Sequence, residues 1–139
     1  MSLITEIMNR LSSQAVGGLT STATWRIVGR DFLPGSIGGS TKAQQICVTP
    51  TGGWDQEQSE ALTYPTFQVR VRGASSGSTG LEAKAEAMVS ALNLCGRKTF
   101  GSYVYLDINQ QGDLLYLGRD EAQRPIYAAN FLAFRARTT

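Results

Sequence analysis

The chain has 139 residues, a net charge of +2 and no histidine. This length is typical of one domain with a sizeable core, and we expect a single domain over residues 1–139. Without histidine, the commonest general base and the commonest metal ligand are missing, and so small a net charge does not argue for nucleic-acid binding. A charged fraction of only 17% indicates that partners cover part of the surface.

The N-terminal segment predicts a soluble protein that is made and used in the cytoplasm. Met1–Leu11 carries polar and charged residues throughout and lacks the apolar run of a signal peptide. No stretch approaches the roughly 20 apolar residues that cross a bilayer, so we expect no membrane partner. Cys47 and Cys95 lie among apolar neighbours and are expected to be reduced core residues, although two thiols can in principle pair.

The first predicted element is a helix. Ser2 is a plausible N-cap, and Gly17-Gly18 stops the helix. Between them, apolar residues recur at spacings of four on one helical face. These residues are Leu3, Ile7, Leu11 and Ala15.

Two short strands and two loops come next. The strands are predicted at Trp25–Arg30 and at Gln44–Thr49. Pro34–Lys42, which is rich in glycine and serine, is the loop between them. Pro50–Thr63 is a polar loop that is longer than most connections, so we expect a binding or mobile element.

The third predicted strand, within Tyr64–Gly73, has two different faces. Phe67, Val69 and Val71 point one way, and Gln68, Arg70 and Arg72 point the other. The apolar row predicts a core face, and the cationic row predicts a surface that meets water or another chain. Two arginines near aromatic residues are weak evidence for nucleic acid, so a protein–protein surface is the favoured interpretation. The loop Ala74–Ser78 follows and is a further predicted contact element.

The second helix has the strongest local signals. Thr79 and Glu82 fit a capping box, in which each side chain satisfies an otherwise unpaired backbone N–H. An apolar stripe then recurs at alternating steps of four and three, and Gly96 ends the helix. The stripe, which we expect to lie across the sheet, consists of Leu81, Ala85, Met88, Leu92 and Cys95.

Three strands are predicted after this helix. In the first, Val104, Leu106 and Ile108 alternate with Tyr103, Tyr105 and Asp107. A turn at Asn109–Asp113 leads to the returning strand Leu114–Gly118, and a polar turn at Arg119–Arg124 leads to the last strand, Pro125–Phe134. The last strand is apolar on both faces, so it is either central in a sheet that is covered on both sides or covered by another subunit.

No catalytic, cofactor or metal site is predicted. Gly35–Lys42 resembles a phosphate-binding loop only faintly, because its lysine follows Ser-Thr and no helix is predicted next. Glu82 and Glu86 share a helix face, but acids in the first turns of a helix favour a solvated face over acid–base work. Neither cysteine has a histidine to deprotonate it. Since no nucleophile–base pair can be assembled, we expect no enzymatic activity.

The order of these parts resembles the tail terminator proteins of long-tailed bacteriophages, also called tail-completion or minor capsid proteins. The resemblance spans about the last two thirds of the chain. It is carried by Val48–Gly53, Tyr64–Gly73, the alanine-rich helix Leu81–Leu94, and Leu117–Glu121 with Arg124 and Ile126–Phe131 behind it. One departure is the turn Asp120–Arg124, where the family pattern has a glycine and this chain has Ala122-Gln123.

The resemblance implies an α+β subunit with a mixed, mainly antiparallel sheet, an N-terminal helix and a second helix packed across the sheet. Such subunits close into a hexameric ring, a homo-oligomer that caps the head-proximal end of the tail tube. The ring contacts the tail tube protein and the head–tail connector or head-closure protein, and DNA passes through its lumen without specific binding. The chain would therefore be a virion protein of the tail or neck, assembled in the host cytoplasm.

We expect the contacts of this ring to come from cationic residues, one glutamine and one tryptophan on the third strand, the loops, the polar turn and the end of the last strand. These residues are Gln68, Arg70, Arg72, Trp54, Lys42, Arg119, Arg124 and Arg135. Two other functions remain open at this point. One is another neck component, such as a head-closure or connector-adaptor protein, and the other is a small nucleic-acid-binding module.

Overall fold

A computed structural model describes residues 3–19, 23–33, 44–53, 62–74, 80–100 and 103–137. The predicted α+β class is confirmed, with two helices and a mixed, mostly antiparallel sheet of seven strands in these residues. The helices are α1 (Leu3–Ser13) and α2 (Leu81–Leu92). The strands are β1 (Arg26–Gly29), β2 (Gln45–Gly53), β3 (Leu62–Thr63), β4 (Pro65–Arg72), β5 (Leu94–Phe100), β6 (Tyr103–Arg119) and β7 (Pro125–Arg137).

The last strand, β7, lies in the middle of the sheet. The strand order is β1-β2-β4-β7-β6-β5, and β3 pairs with β7 beyond the end of β4. Only β1 and β2 run parallel among the described pairs. The predicted central position of β7 is therefore confirmed. The described helices pack on one face of the sheet, so cover on both faces is not shown, and cover by another subunit stays a prediction.

The core lies between one face of the sheet and the two helices. Phe67, Val69 and Val71 of β4 are fully buried in it, as their alternation predicts. The apolar stripe of α2 is confirmed through Leu81, Ala85, Met88 and Leu92, all of which are buried. In α1, Ile4, Ile7 and Leu11 are buried, because an apolar stripe on an amphipathic helix packs against the sheet.

Both helices end earlier than predicted. Ala15 lies outside α1 with a φ of 59°, so the chain leaves the helix before Gly17-Gly18. In α2, Asn93 takes an extended conformation and its N–H closes the last turn on Val89 O at 2.7 Å. Cys95 therefore lies on β5, a strand that the helical spacing concealed. The structure places Gly80 at the N-cap of α2, while Thr79 of the predicted capping box lies outside the described residues.

The predicted turn at Asn109–Asp113 is wrong, because β6 continues through it as one strand of 17 residues. Gly112 has a φ of 80° at this point, and the pairing with β7 shifts register between Gln111 and Leu115. Such an irregularity absorbs the extra residues without ending the strand. A second register shift, between Tyr105 and Asp107, breaks the predicted alternation of Val104, Leu106 and Ile108 with Tyr105. Tyr105 and Ile108 are buried, whereas Val104 and Leu106 are only half-buried.

The predicted long loop Pro50–Thr63 is too long at both ends. Pro50–Gly53 extends β2 and pairs with the start of β4, with a register shift between Pro50 and Gly52. Leu62–Thr63 forms β3. Residues 54–61, the predicted loop Pro34–Lys42, and most of Ala74–Ser78 lie outside the described residues. In the part of the chain that the structure describes, no helix is long and apolar enough to span a bilayer.

The altered register of β6 predicts that alanine substitutions at two neighbouring apolar positions lower the free energy of unfolding by different amounts. Ile108 is 1% exposed and Leu106 is only half-buried, although both share one face in the simple alternation. We expect Ile108→Ala to lower the free energy of unfolding by about 2–5 kcal/mol and Leu106→Ala to lower it by about 1 kcal/mol. Urea denaturation of the two variants measures the difference, and equal losses would contradict the register described here.

Candidate functional site

The described residues offer little for catalysis. No group of three histidine, cysteine, aspartate or glutamate residues among them is placed to hold a metal ion. Glu82 and Glu86 are both exposed on α2, which confirms the solvated face that the helix position predicts. Cys47 is a buried free thiol, and its burial raises its pKa, so that the reactive thiolate is disfavoured.

The cationic row of β4 instead holds a neighbouring segment of the same chain. This segment, Asp31–Leu33, follows β1 and is called the strap below. The Arg70 guanidinium lies 3.2 Å from Asp31 Oδ1 and 3.4 Å from Arg30 O. It also lies over the Phe32 ring, 4.9 Å from the ring centroid. Arg70 thus binds both the carboxylate of Asp31 and the backbone carbonyl of Arg30, directly after β1.

Arg72 is fixed in the same way and is more deeply buried. Its Nη2 donates to Leu33 O at 3.2 Å, and its guanidinium lies 4.7 Å from the Phe32 ring centroid. Burial lowers the pKa of Arg72 to about 10, and the positive charge of Arg124 acts in the same direction. Since Arg72 is 2% exposed, the expectation that its side chain lies on an open surface is wrong.

Gln45 and Gln68 also make polar contacts on this face of the sheet. Gln45 Oε1 accepts a hydrogen bond from Leu33 N at 2.9 Å and thus anchors the strap from β2. Gln68 is half-buried, and its Nε2 donates to Asn130 Oδ1 of β7 at 3.2 Å. The strap therefore covers the Arg72 end of the cationic row, while Gln68 stays partly accessible.

The turn between β6 and β7 is built around Asp120. One carboxylate oxygen of Asp120 accepts from the backbone N–H groups of Ala122 and Arg124 at 3.0 and 2.9 Å. The other accepts from Arg124 Nε at 2.8 Å. Partial desolvation acts to raise the pKa of Asp120, but the hydrogen bonds and charge of Arg124 outweigh it, so the pKa lies below its ordinary value.

This arrangement explains how the turn forms with Ala122-Gln123 where the resemblance leads us to expect a glycine. Gln123 has a φ of 63°, a conformation that glycine adopts without strain. Its N–H donates to Asp120 O at 2.9 Å, and its carbonyl accepts from Arg119 Nη1 at 2.7 Å. Arg119 and Arg124 therefore both stabilise the turn, and Arg119 is the more exposed of the two.

Arg135 lies on the opposite, helix-covered face of the sheet. Its Nη1 lies 3.1 Å from Glu6 Oε1 of α1 and 3.3 Å from the hydroxyl oxygen of Tyr105. The Tyr105 hydroxyl donates to the same Glu6 oxygen at 2.8 Å. Burial, and then this hydrogen bond, raise the pKa of Tyr105 far above its ordinary value. This buried network ties α1 to the central strands.

The predicted contact residues therefore do not form one site. Arg70 and Arg72 hold the strap, Arg119 and Arg124 hold the turn close to Arg72, and Arg135 holds α1 on the other face. Trp54 and Lys42 lie outside the described residues. Glu6 and Tyr105 escaped sequence reasoning, because a glutamate in a polar N-terminal segment gives no signal that it is buried.

Sequence reasoning also missed an apolar cluster at the surface. Leu115, Tyr116 and Leu117 of β6 are 45%, 54% and 52% exposed, respectively. β5 pairs with β6 only as far as Ile108, so no described strand covers the outer edge of β6 from Asn109 to Arg119. The incorrectly predicted turn at Asn109–Asp113 hid this long open edge.

Comparison with known proteins identifies a family and a solved chain of similar fold. A family model described as bacteriophage tail terminator protein matches residues 35–134. A solved chain from the virion of a native gene transfer agent (GTA) particle has a similar fold, with a TM-score of 0.57 and 16% sequence identity. The similarity covers 98% of this chain and 93% of that chain. No curated protein matches the chain.

The contribution of Asp120 to the stability of the chain should depend on pH. Because the folded-state pKa of Asp120 is lowered, its contribution to stability is fully present above about pH 5 and is lost as the pH falls through the folded-state pKa. Asp120→Asn should therefore unfold at lower urea concentration than the parent near neutral pH, and the difference should shrink in acid. The exposed neighbour Glu121 supplies the control Glu121→Gln, and a pH-independent difference would argue against the described role of Asp120.

The Arg135 network makes a prediction about a buried charge. The Glu6 side chain is fully buried, so Arg135→Met should leave its carboxylate without a cation and destabilise the chain by about 3–5 kcal/mol. Adding Glu6→Gln should recover part of this loss, because the uncompensated charge is then gone. Arg137→Met changes an exposed arginine on the same strand and is the matched control in thermal unfolding. Equal effects of the two arginine substitutions would refute the network.

Proposed function

Because the chain belongs to the family of bacteriophage tail terminator proteins, we propose that it forms a hexameric ring at the head-proximal end of the phage tail tube. There the ring stops further polymerisation of tube protein and joins the tail to the connector or head-closure protein. The observation that carries the proposal is the family match, which covers residues 35–134. The shared fold with a chain of a GTA virion supports a place in the finished particle.

A subunit of a closed ring needs contact surfaces for its partners, and these surfaces must be separate from its core. In a head-to-tail ring, each subunit presents two different complementary surfaces to its neighbours. It presents two more to the tube and to the connector. Helices cover one face of this sheet, so its edges, its turns and the partly open second face remain for such contacts. Gln68, Arg70 and Arg119 reach this surface and stay proposed contacts, as do Trp54 and Lys42.

The charge distribution supports a lumen through which DNA passes without specific binding. Affinity for DNA comes largely from lysine and arginine side chains that neutralise phosphates. Arg70, Arg124 and Arg135 are each engaged by a carboxylate of the same chain, at 3.2, 2.8 and 3.1 Å. With a net charge of +2, the chain carries little net positive charge to attract the DNA backbone.

The proposal is tested in the phage or phage-like particle whose genome encodes the chain. Removal of the chain should give tails of irregular, extended length and heads without tails, because nothing then ends tube growth or bridges to the connector. Electron microscopy of lysates measures both outcomes. The chain supplied from a plasmid is the control and should restore uniform tails on filled heads.

Particles with tails of normal length and normal attachment would refute the proposal. A second measurement separates the tail terminator from another neck component, such as a head-closure protein. Purified chain should bind isolated tail tubes in the absence of heads. Binding to the portal complex first, with no binding to tubes, would assign the chain to the connector side.

A further inference from the structure

We propose that the open edge of β6 docks on the β1 side of a second copy of this chain, and that this contact joins neighbouring subunits head to tail. The open edge is defined as Asn109–Arg119, the part of β6 that no described strand covers on its outer side. The inference rests on the proposed ring and deepens it, since it assigns the subunit contact to particular residues. It concerns the contact between copies only, not the contacts with tube or connector.

The first observation is where the exposed apolar side chains lie. In the part of the chain that the structure describes, the large apolar residues exposed at the surface are Leu19, Leu115, Tyr116 and Leu117. Three of them are consecutive on the open edge. Unpaired backbone groups flanked by exposed apolar side chains are a template for association with another chain. Both register irregularities on this stretch, after Gln111 and after Tyr116, shape the edge without covering it.

The second observation is a complementary surface at the opposite side of the sheet. Leu19 follows Gly18, whose backbone bridges to Arg26 at the outer edge of β1. Next to it lies an open cavity of about 500 Å³. It is lined mainly by apolar residues and glycines, which include Val16, Gly17, Gly18, Ala23 and Trp25. This volume lies within the range of about 300–1,000 Å³ that is typical of pockets for whole ligands, so it can take large side chains.

Placement on opposite edges makes the pair suitable for a ring. In the sheet, β2, β4 and β7 separate β1 from β6, and α2 stands between the two surfaces on the helix side. Lys84 of α2 lines the cavity, whereas Glu82 and Glu86 of the same helix line the groove beside the open edge. One copy therefore cannot fill its own cavity with its own edge. Two different surfaces on opposite sides give a head-to-tail contact, which closes into a ring when the rotation is right.

Charge also favours a second copy as the occupant. Lys84 Nζ lies at the cavity wall, 2.9 Å from Val16 O and 5.6 Å from the Trp25 ring centroid. On the open edge, Asp113 is exposed beside the apolar cluster. An acidic group on one surface and a cation on the other favour this pairing and disfavour two open edges meeting each other, because two copies of Asp113 would then approach.

Photocrosslinking tests the contact within assembled particles. A benzophenone amino acid is placed at Leu117 and, as a matched edge control, at the exposed Thr99 of β5. We expect the Leu117 position to give a product of two copies, attached at Val16–Gly18 or at Ala23–Trp25. Attachment to any other part of a second copy, attachment to another protein, or no product at all would each overturn the inference.

Paired variants give an independent test with the purified chain. Leu117→Asp should disable the open edge, and Thr24→Trp should fill the mouth of the cavity, since Thr24 is exposed at its lining. Each variant alone should associate at least about tenfold more weakly than the parent. An equimolar mixture should form dimers and nothing larger, because it holds one intact pair of surfaces. Thr99→Asp, which adds the same charge elsewhere, should associate normally.

The outcomes separate this inference from the proposed function. If both variants assemble like the parent and still end tails at the correct length, the ring stands and the contact assigned here is wrong. If Thr24→Trp assembles normally while Leu117→Asp does not, the open edges pair with each other or with another protein, and the inference is also overturned. If the parent chain is a single copy in particles, the ring itself is refuted.

Discussion

The position of β7 is the constraint on which the rest of the structure depends. This strand is paired along one edge by β4 and β3 and along the other by β6. Such a strand must be apolar on the core face, and its Phe131 stacks on Phe67 of β4 with ring centroids 5.3 Å apart. It also carries Arg135, through which the sheet holds α1. Because β6 follows β7 almost to the turn at Asp120, β6 must extend past β5, and an open edge results.

The two networks of arginines show how the chain uses cations internally. On one face, Arg70 and Arg72 both lie over the Phe32 ring. Arg70 binds the Asp31 carboxylate of the strap, and Arg72 binds its Leu33 carbonyl. On the other face, Arg135 meets a fully buried carboxylate. A buried ion pair adds little net stability compared with an apolar pair, but breaking it is costly. These contacts therefore fix where the strap and α1 lie.

The local patterns in the sequence predicted the elements that have strong periodicity. The alternation in Tyr64–Gly73 identified β4 and its core face, and the apolar stripe identified α2. The errors arose where tertiary pairing overrides a local signal. Asn109–Asp113 has the composition of a turn, yet the pairing with β7 carries β6 straight through it. Cys95 continues a helical spacing, yet its backbone pairs with Asp107 as part of β5.

The candidate site was harder to predict than the fold, because its residues depend on contacts between distant parts of the chain. Nothing near Arg72 in sequence indicates that Phe32 and Leu33 will cover it. Likewise, no residue near Glu6 in sequence indicates that its carboxylate will bind Tyr105 and Arg135. A charged residue in an alternating strand is normally assigned to water. The prediction that such a residue faces solvent fails when another segment of the chain packs over the strand. No local sequence pattern indicates that packing.

A sheet with helices on one face has a particular consequence for assembly. Its core is complete within one copy, so the surfaces for neighbours can change without disturbing the packing of Phe67, Met88 and Ile108. The open edge of β6 illustrates this separation. Leu115 and Leu117 are exposed, while the same strand, a few residues earlier, contributes Tyr105 and Ile108 to the core. The register irregularities after Gln111 and Tyr116 lie on the outward part. In the proposed contact, folding and association would use different lengths of one strand, so a substitution of the exposed Leu115 or Leu117 would test association with little effect on the core.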